Sequence, residues 1–218
     1  MKESIVRVFA WISGFAMICL LTGCATTKVV SRFSDDGLSA WKEQIFNGST
    51  RYERVEEGKT MVLRATSRQS ASALYQRVEV DLDKTPYLNW HWKVESALGE
   101  LDEQMKAGDD FAARVYVVVS PMPFRLKPRS LNYVWASNTP AGGHWESPYS
   151  RNVILVALQS GNALAGRWIQ EKRNVREDLK RYFGEDIRYV EGIAIMTDTD
   201  NSQSAATAYY GDIYFTAR

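Results

Sequence analysis

The stretch Leu88-Asn89-Trp90-His91-Trp92-Lys93-Val94 alternates strictly between apolar and polar residues. A period of two marks a half-buried strand; a helix would scatter Leu88, Trp90, Trp92 and Val94 around its circumference. Phe111–Val119 repeats the pattern, with Phe111, Ala113, Val115, Val117 and Val119 on one face and Arg114, Tyr116 and Val118 on the other. Ala73–Val80, Leu131–Ala136, Asn152–Leu158, Val190–Thr197 and Ala208–Thr216 read as further strands. Turn residues separate them, in the segments 121–128, 139–143 and 160–162. One helix is expected where Asn174 can cap the chain, with Glu177 three residues on. Val175, Leu179, Tyr182 and Phe183 share its face and Gly184 ends it. A less regular helical pattern covers Leu98–Lys106. The expected fold is mainly β, an antiparallel β-sandwich of jelly-roll type with one or two short helices.

The start of the chain is different in kind. Lys2 and Arg7 precede an apolar run from Val8 to Leu21, which ends in Leu21-Thr22-Gly23-Cys24. The run falls short of the roughly 20 residues that a spanning helix needs. It has the layout of a secretory signal with a small-residue cleavage site, and Leu-Thr-Gly-Cys resembles the lipobox of bacterial lipoproteins. The expectation is a signal peptide over 1–23, an acylated Cys24 with a tether over 24–30, and one domain over 31–218. Ala25 follows the cysteine, where an Asp would resemble an inner-membrane retention signal; this favours the outer membrane, facing the periplasm. The lipid would be the contact with the membrane.

Cleavage also settles charge and thiol content. The whole chain has 27 Lys+Arg and 26 Asp+Glu; without residues 1–23 it is formally neutral. No overall field then draws the domain to nucleic acid. Cys19 leaves with the signal and Cys24 is modified, so no thiol is left for a disulfide, a zinc site or a nucleophile.

Three groups of residues could carry chemistry. Asp198-Thr199-Asp200-Asn201 offers closely spaced oxygens that suit a structural Ca²⁺, together with a distant acid such as Asp212 or Asp110. An EF-hand is excluded, because Gln203 and Tyr209 stand where glycine and glutamate are needed. The competing reading is an acidic loop that bonds its own backbone. Second, His91, Arg114 and Tyr116, joined by Tyr133 or Trp135, would make a polar and aromatic sheet face able to hold a sugar. Third, His144, Trp145 and Glu146 lie in the segment 142–149, with His144 and Glu146 two apart and on one face; the competing reading is a packing loop with Trp145 as a lid. H-E-x-x-H and G-x-S-x-G are both absent, and Arg167-Trp168 stands where a P-loop needs Lys-Ser/Thr.

Several ordered segments together resemble a known family: Asp109–Tyr116, Leu131–Ala136, Ser147-Pro148-Tyr149, Arg173-Asn174-Val175, Met196–Asn201 and Tyr210–Ile213. The chain is similar from Phe33 to Phe215 to the uncharacterised bacterial domain of unknown function numbered three thousand and forty-seven. The resemblance implies an exported protein and a sandwich like that of carbohydrate-binding modules, with no activity attached. The leading expectation is a non-catalytic binding module for a glycan or another cell-envelope component. The alternatives are a glycan-acting hydrolase and a structural or assembly lipoprotein with an unidentified protein partner.

Overall fold

Trp90 and Trp92 dominate the interior, as their alternation requires. The computed structural model describes residues 26–35, 37–120 and 128–218, so the signal segment 1–23, Cys24 and most of the expected turn at 121–128 lie outside the described residues. The described chain forms β1 (Thr27–Ser31), β2 (Lys42–Asn47), β3 (Arg51–Glu57), β4 (Thr60–Arg68), β5 (Ala71–Asp81), β6 (Tyr87–Val94), β7 (Ala113–Val119), β8 (Arg129–Ala136), β9 (His144–Ser147), β10 (Ser150–Ser160), β11 (Ile169–Asn174), α1 (Val175–Phe183), β12 (Tyr189–Met196), β13 (Ala205–Tyr210) and β14 (Ile213–Thr216). The first sheet runs β1-β14-β6-β13-β4-β3, with β11 on the free side of β6; the second runs β2-β5-β12-β7-β8-β10-β9. Residues 27–30, expected in the tether, are instead strand, paired with β14.

The two sheets interlock through four rings. Trp90 stacks on Tyr133 with centroids 5.4 Å apart. Trp92 meets Trp135 edge-on at 6.0 Å, and Trp90 and Trp92 pack at right angles. Such pairs add roughly 0.5–1.5 kcal/mol each beyond burial. The polar tips reach a helix, a turn and a neighbouring strand. Tyr133 Oη donates to Asp178 Oδ2 at 2.7 Å, Trp135 Nε1 to Gly161 O at 3.0 Å, and Trp92 Nε1 to Glu171 Oε1 at 3.2 Å. Tyr133 and Trp135 are therefore core residues, 0% and 1% exposed, and not part of a sugar-binding face. Their parity could not be read from β8, because the alternate residues Val134 and Ala136 are apolar too.

The parity of Phe111 also differs from the expectation. Regular pairing of β7 starts at Ala113, so Phe111 is not held in its alternation. It turns to the outer face of the second sheet and packs with Trp145, Val134, Ala136, Leu155 and Ala157. Trp145 is the lid of this small second cluster, with Nε1 bonded to Glu103 O.

Helix α1 forms as its caps direct: Asn174 Oδ1 accepts from Glu177 N, and Gly184 takes φ 72°. The second expected helix over Leu98–Lys106 is absent; a single 3-10 turn covers Lys106–Gly108. The buried Glu103 carboxylate pins this segment, accepting from Ser137 N, Thr139 N and Thr139 Oγ1. The β8–β10 pair is parallel, a local departure from the antiparallel expectation, because β10 inserts between β8 and β9.

The strand expected over Ala208–Thr216 is two strands. β6 shares one edge between β14, at Tyr87–Asn89, and β13, at Trp92–Val94. Gly211 bridges the break and donates to His91 O. A Cβ at Gly211 would lie 1.9 Å from His91 Nε2, and the imidazole is backed by Trp168 at 5.0 Å. Gly211→Ala should therefore cost about 1–3 kcal/mol in chemical denaturation through overpacking; His91→Ala in the same chain should restore most of it.

The same ring sets a pH dependence. Burial lowers the His91 pKa, although Asp212 pulls it up. Below about pH 6.5 the unfolded chain then binds a proton that the folded chain refuses, so stability falls as pH falls through that value. Denaturation midpoints measured from pH 8 to pH 5 should show a shallower decline in His91→Gln than in the parent.

Candidate functional site

Strand parity fixes the outer face of the second sheet. Val115 and Val117 face the main core, so Arg114, Tyr116 and Val118 face outward. Cross-strand register aligns Tyr75, Ala194, Tyr116, Asn132 and Leu155 in one row. The adjoining row places Ala73, Met196, Arg114 and Val134 side by side. A hollow opens on this face, with Ala71 in its wall.

The hollow is a recess of about 480 Å³. Arg114, Tyr116, Met196 and Asn132 line it, and Phe46 from β2 and Tyr149 from the β9–β10 turn flank it. Phe46 is 64% exposed and Tyr149 56% exposed. Asn201 Nδ2 donates to Tyr149 Oη at 3.0 Å and to Lys106 O at 2.6 Å, which holds the Tyr149 ring in place. Further along the same strands a second hollow of about 600 Å³ is lined by Tyr75, Arg77, Glu79, Val118, Ser120 and Tyr189. From Arg114 to Ser120 the face extends roughly 20 Å at strand rise.

One end of the recess is ionic. The Arg114 guanidinium lies buried against Asp198: Nε donates to Oδ1 at 2.9 Å and Nη2 to Oδ2. Nη2 also donates to Asp109 O, and Asp109 Oδ1 lies 3.6 Å from Nη1. Asp198 Oδ1 further accepts from Phe111 N at 3.2 Å. Asp110 holds the following turn, accepting from Asn201 N and Ser202 N. Burial raises the Asp198 pKa above the usual carboxylate range; Arg114 pulls it down, and Asp110 and Asp109 push it up again. Burial raises Asp109 likewise, against the pull of Arg114.

The recess joins residues that belonged to two separate groups in the sequence. Arg114 and Tyr116 from the sheet face meet Asp198, Asp200 and Asn201 from the acidic loop, because Met196 pairs with Arg114 across β12 and β7. Of the calcium candidates, Asp198 and Asp200 approach Asp110, with carboxylate oxygens within 4.8 Å of one another. Asp212 is not among them. It caps Ser34 instead, accepting from Ser34 N at 3.1 Å and Oγ at 2.9 Å, and it sits next to His91 beside the first sheet. His91 therefore belongs to the opposite face of the sandwich from Arg114. His144 is exposed on β9, its ring 4.9 Å from Tyr182, and does not line the recess. Trp145 is buried under the same strand.

Phe46, Tyr149, Met196 and Asp109 are lining residues that the sequence reading did not single out. Tyr149 lay within a segment read for His144 and Glu146. Phe46 sits on β2, whose six residues are all exposed, so hydropathy gave it no strand pattern at all.

This chain belongs to the DUF3047 family. The family, described as "Protein of unknown function (DUF3047)", matches residues 39–214. No curated protein matches the chain. Among solved structures it is similar to the enzymatically active domain of bacteriophage CBA120 tailspike protein 4, at 9% identity and TM-score 0.45. It covers 87% of this chain but 21% of that one. It is also similar to the non-crystalline-cellulose-specific carbohydrate-binding module CBM28, at 13% identity and TM-score 0.46, covering 86% of this chain and 94% of that one. The CBM29_1 module from Piromyces equi is similar at 12% identity and TM-score 0.39, covering 89% and 92%.

The Arg114–Asp198 pair gives a stability test for this member of the family. Removing one partner strands the other charge in the interior, so Arg114→Leu should cost about 3–5 kcal/mol in urea denaturation. The double change Arg114→Leu with Asp198→Leu should be less destabilised than the single one.

Proposed function

We propose that this protein is a non-catalytic binding module for a glycan of the bacterial cell envelope, held at the membrane by a lipid on Cys24. The observation that carries the reading is the pair of exposed rings, Phe46 and Tyr149, set over a floor of Arg114, Tyr116 and Asn132. A sugar offers an apolar ring face and a rim of hydroxyls; aromatic faces cover the first and convergent polar groups fix the second. The hollow past Tyr75 and Tyr189 adds length for further sugar units.

The calcium expectation is not carried into the proposal: Asp110, Asp198 and Asp200 approach one another, but the Asp198 and Asp110 oxygens are already engaged by Arg114 and by backbone donors. For location, Leu21-Thr22-Gly23-Cys24 with Ala25 supports lipidation and the periplasmic side of the outer membrane. Because β1 begins at Thr27, the anchor would be three residues from a sheet edge, roughly 10 Å of extended chain. The ligand would then be met close to the membrane surface.

Binding of the purified chain to a panel of envelope polysaccharides and peptidoglycan fragments tests the reading by calorimetry. At least one should bind, and Tyr149→Ala or Phe46→Ala should weaken it about tenfold, the loss of a little over 1 kcal/mol at a contact residue. A folded chain that binds nothing in the panel would overturn the proposal.

A further inference from the structure

The charge inside the recess is lopsided. Asp109, Asp198 and Asp200 line it, and Arg114 is the one guanidinium among the lining residues. Arg114 is spent mainly on Asp198, as described. Asp109 Oδ1 is buried and makes no hydrogen bond, and the residue is 7% exposed. Asp200 accepts from Asn47 Nδ2 through Oδ2 at 3.2 Å. A buried acceptor without a donor is costly, about 1–3 kcal/mol for a neutral group and more for a charged one. Asp109 Oδ1 already faces Arg114 Nη1 at 3.6 Å, and a cation in the recess, in contact with the half-buried Asp200, would offset that cost further.

The walls say what kind of cation fits. A bare Ca²⁺ needs six to eight oxygens. Here the Asp198 oxygens face Arg114 and Phe111 N, and Asp110 accepts from Asn201 N and Ser202 N. Asn47, Asn132, Ser147 and Asn201 add neutral oxygens, but much of the wall is the apolar and aromatic surface of Phe46, Ala71, Tyr116, Tyr149 and Met196, which suits an organic cation better than a bare metal ion. An organic ammonium needs the reverse: a few carboxylates and ring faces on which a cation rests. Tyr149 already accepts one, with Lys106 Nζ 5.1 Å from its centroid, although Lys106 does not line the recess.

Resting on the glycan reading of the same recess, we propose that its ligand is an amine-bearing saccharide of the glucosamine type. The free ammonium is directed to Asp200, with the buried Asp109 carboxylate adding negative potential, and the sugar face to Phe46 and Tyr149. Asp109 and Asp200 are then specificity-determining residues. The acidic end disfavours uronic acids and other anionic glycans through like-charge repulsion.

The test compares three oligosaccharides of equal length on the purified full chain: glucosamine, N-acetylglucosamine and galacturonate. The glucosamine oligomer should bind about tenfold more tightly than the acetylated one, a gap of about 1.4 kcal/mol. That preference should shrink on going from low to high salt. Asp200→Asn, less buried and safer for folding than a change at Asp109, should bring the ratio of the two affinities close to one. Equal or tighter binding of the acetylated or galacturonate oligomer would overturn this inference and leave the glycan reading standing. Binding of none of the three, or of any other glycan, would overturn both. Stabilisation by millimolar calcium that is lost in Asp200→Asn would assign the carboxylates to a metal and overturn the amine proposal.

Discussion

Four rings hold this molecule together. Trp90 and Trp92 reach from one sheet, Tyr133 and Trp135 from the other, and their contacts fix how the two layers sit. Close-packed interiors leave little freedom to shift such large groups. The polar tips extend the constraint outward. Tyr133 reaches Asp178, which Arg173 clamps through two hydrogen bonds, so α1 is docked by the same ring that stacks on Trp90. Trp92 shares the Glu171 carboxylate with Gln159, tying β11 to the end of β10. Without disulfides in the described domain, this interlock and the core around it carry the cohesion.

With the inner faces committed to that core, the outer face of the second sheet is free to hold a ligand. The recess has Ala71 in its wall among the larger side chains of Phe46, Tyr116 and Met196. Its ionic end comes from placing Arg114 beside Asp198, with their charges enclosed by Phe111 and the turn that Asp110 pins. A buried pair of this kind adds little net stability against an apolar replacement, yet it fixes the geometry of the acidic wall. Phe46 then stands exposed over it from the edge strand β2, and Tyr149 from the turn between β9 and β10, a usual place for contact residues on a rigid scaffold.

The sandwich was legible because alternation was strict where one strand face met the core. Leu88–Val94 and Ala113–Val119 declared themselves this way, and Asn174, Glu177 and Gly184 marked the ends of α1. Strands that broke the rule were missed or misread. β2 is exposed along its whole length and β3 is mostly half-buried, and neither has an apolar stripe. In β8 both faces are buried, one by the main core and one by the cluster under Trp145, so apolar residues run consecutively and parity vanishes. Leu98–Lys106 had helical spacing, but the buried carboxylate of Glu103 has backbone partners across the loop that outweigh local propensity.

The sequence by itself determined the strand-rich class, the capped helix, the family and part of the site, Arg114, Tyr116, Asp198 and Asp200. Those properties depend on neighbours along the chain, through a period of two or a cap three residues away. Tertiary structure alone decided which candidates meet. Arg114 and Asp198 lie far apart in the chain, and antiparallel register between β7 and β12 makes them a pair; Asp212 has the same chemistry and ends beside His91 on the other sheet. A strand shows which residues share its face, but not which sheet it joins or in what register, and those two choices made the recess.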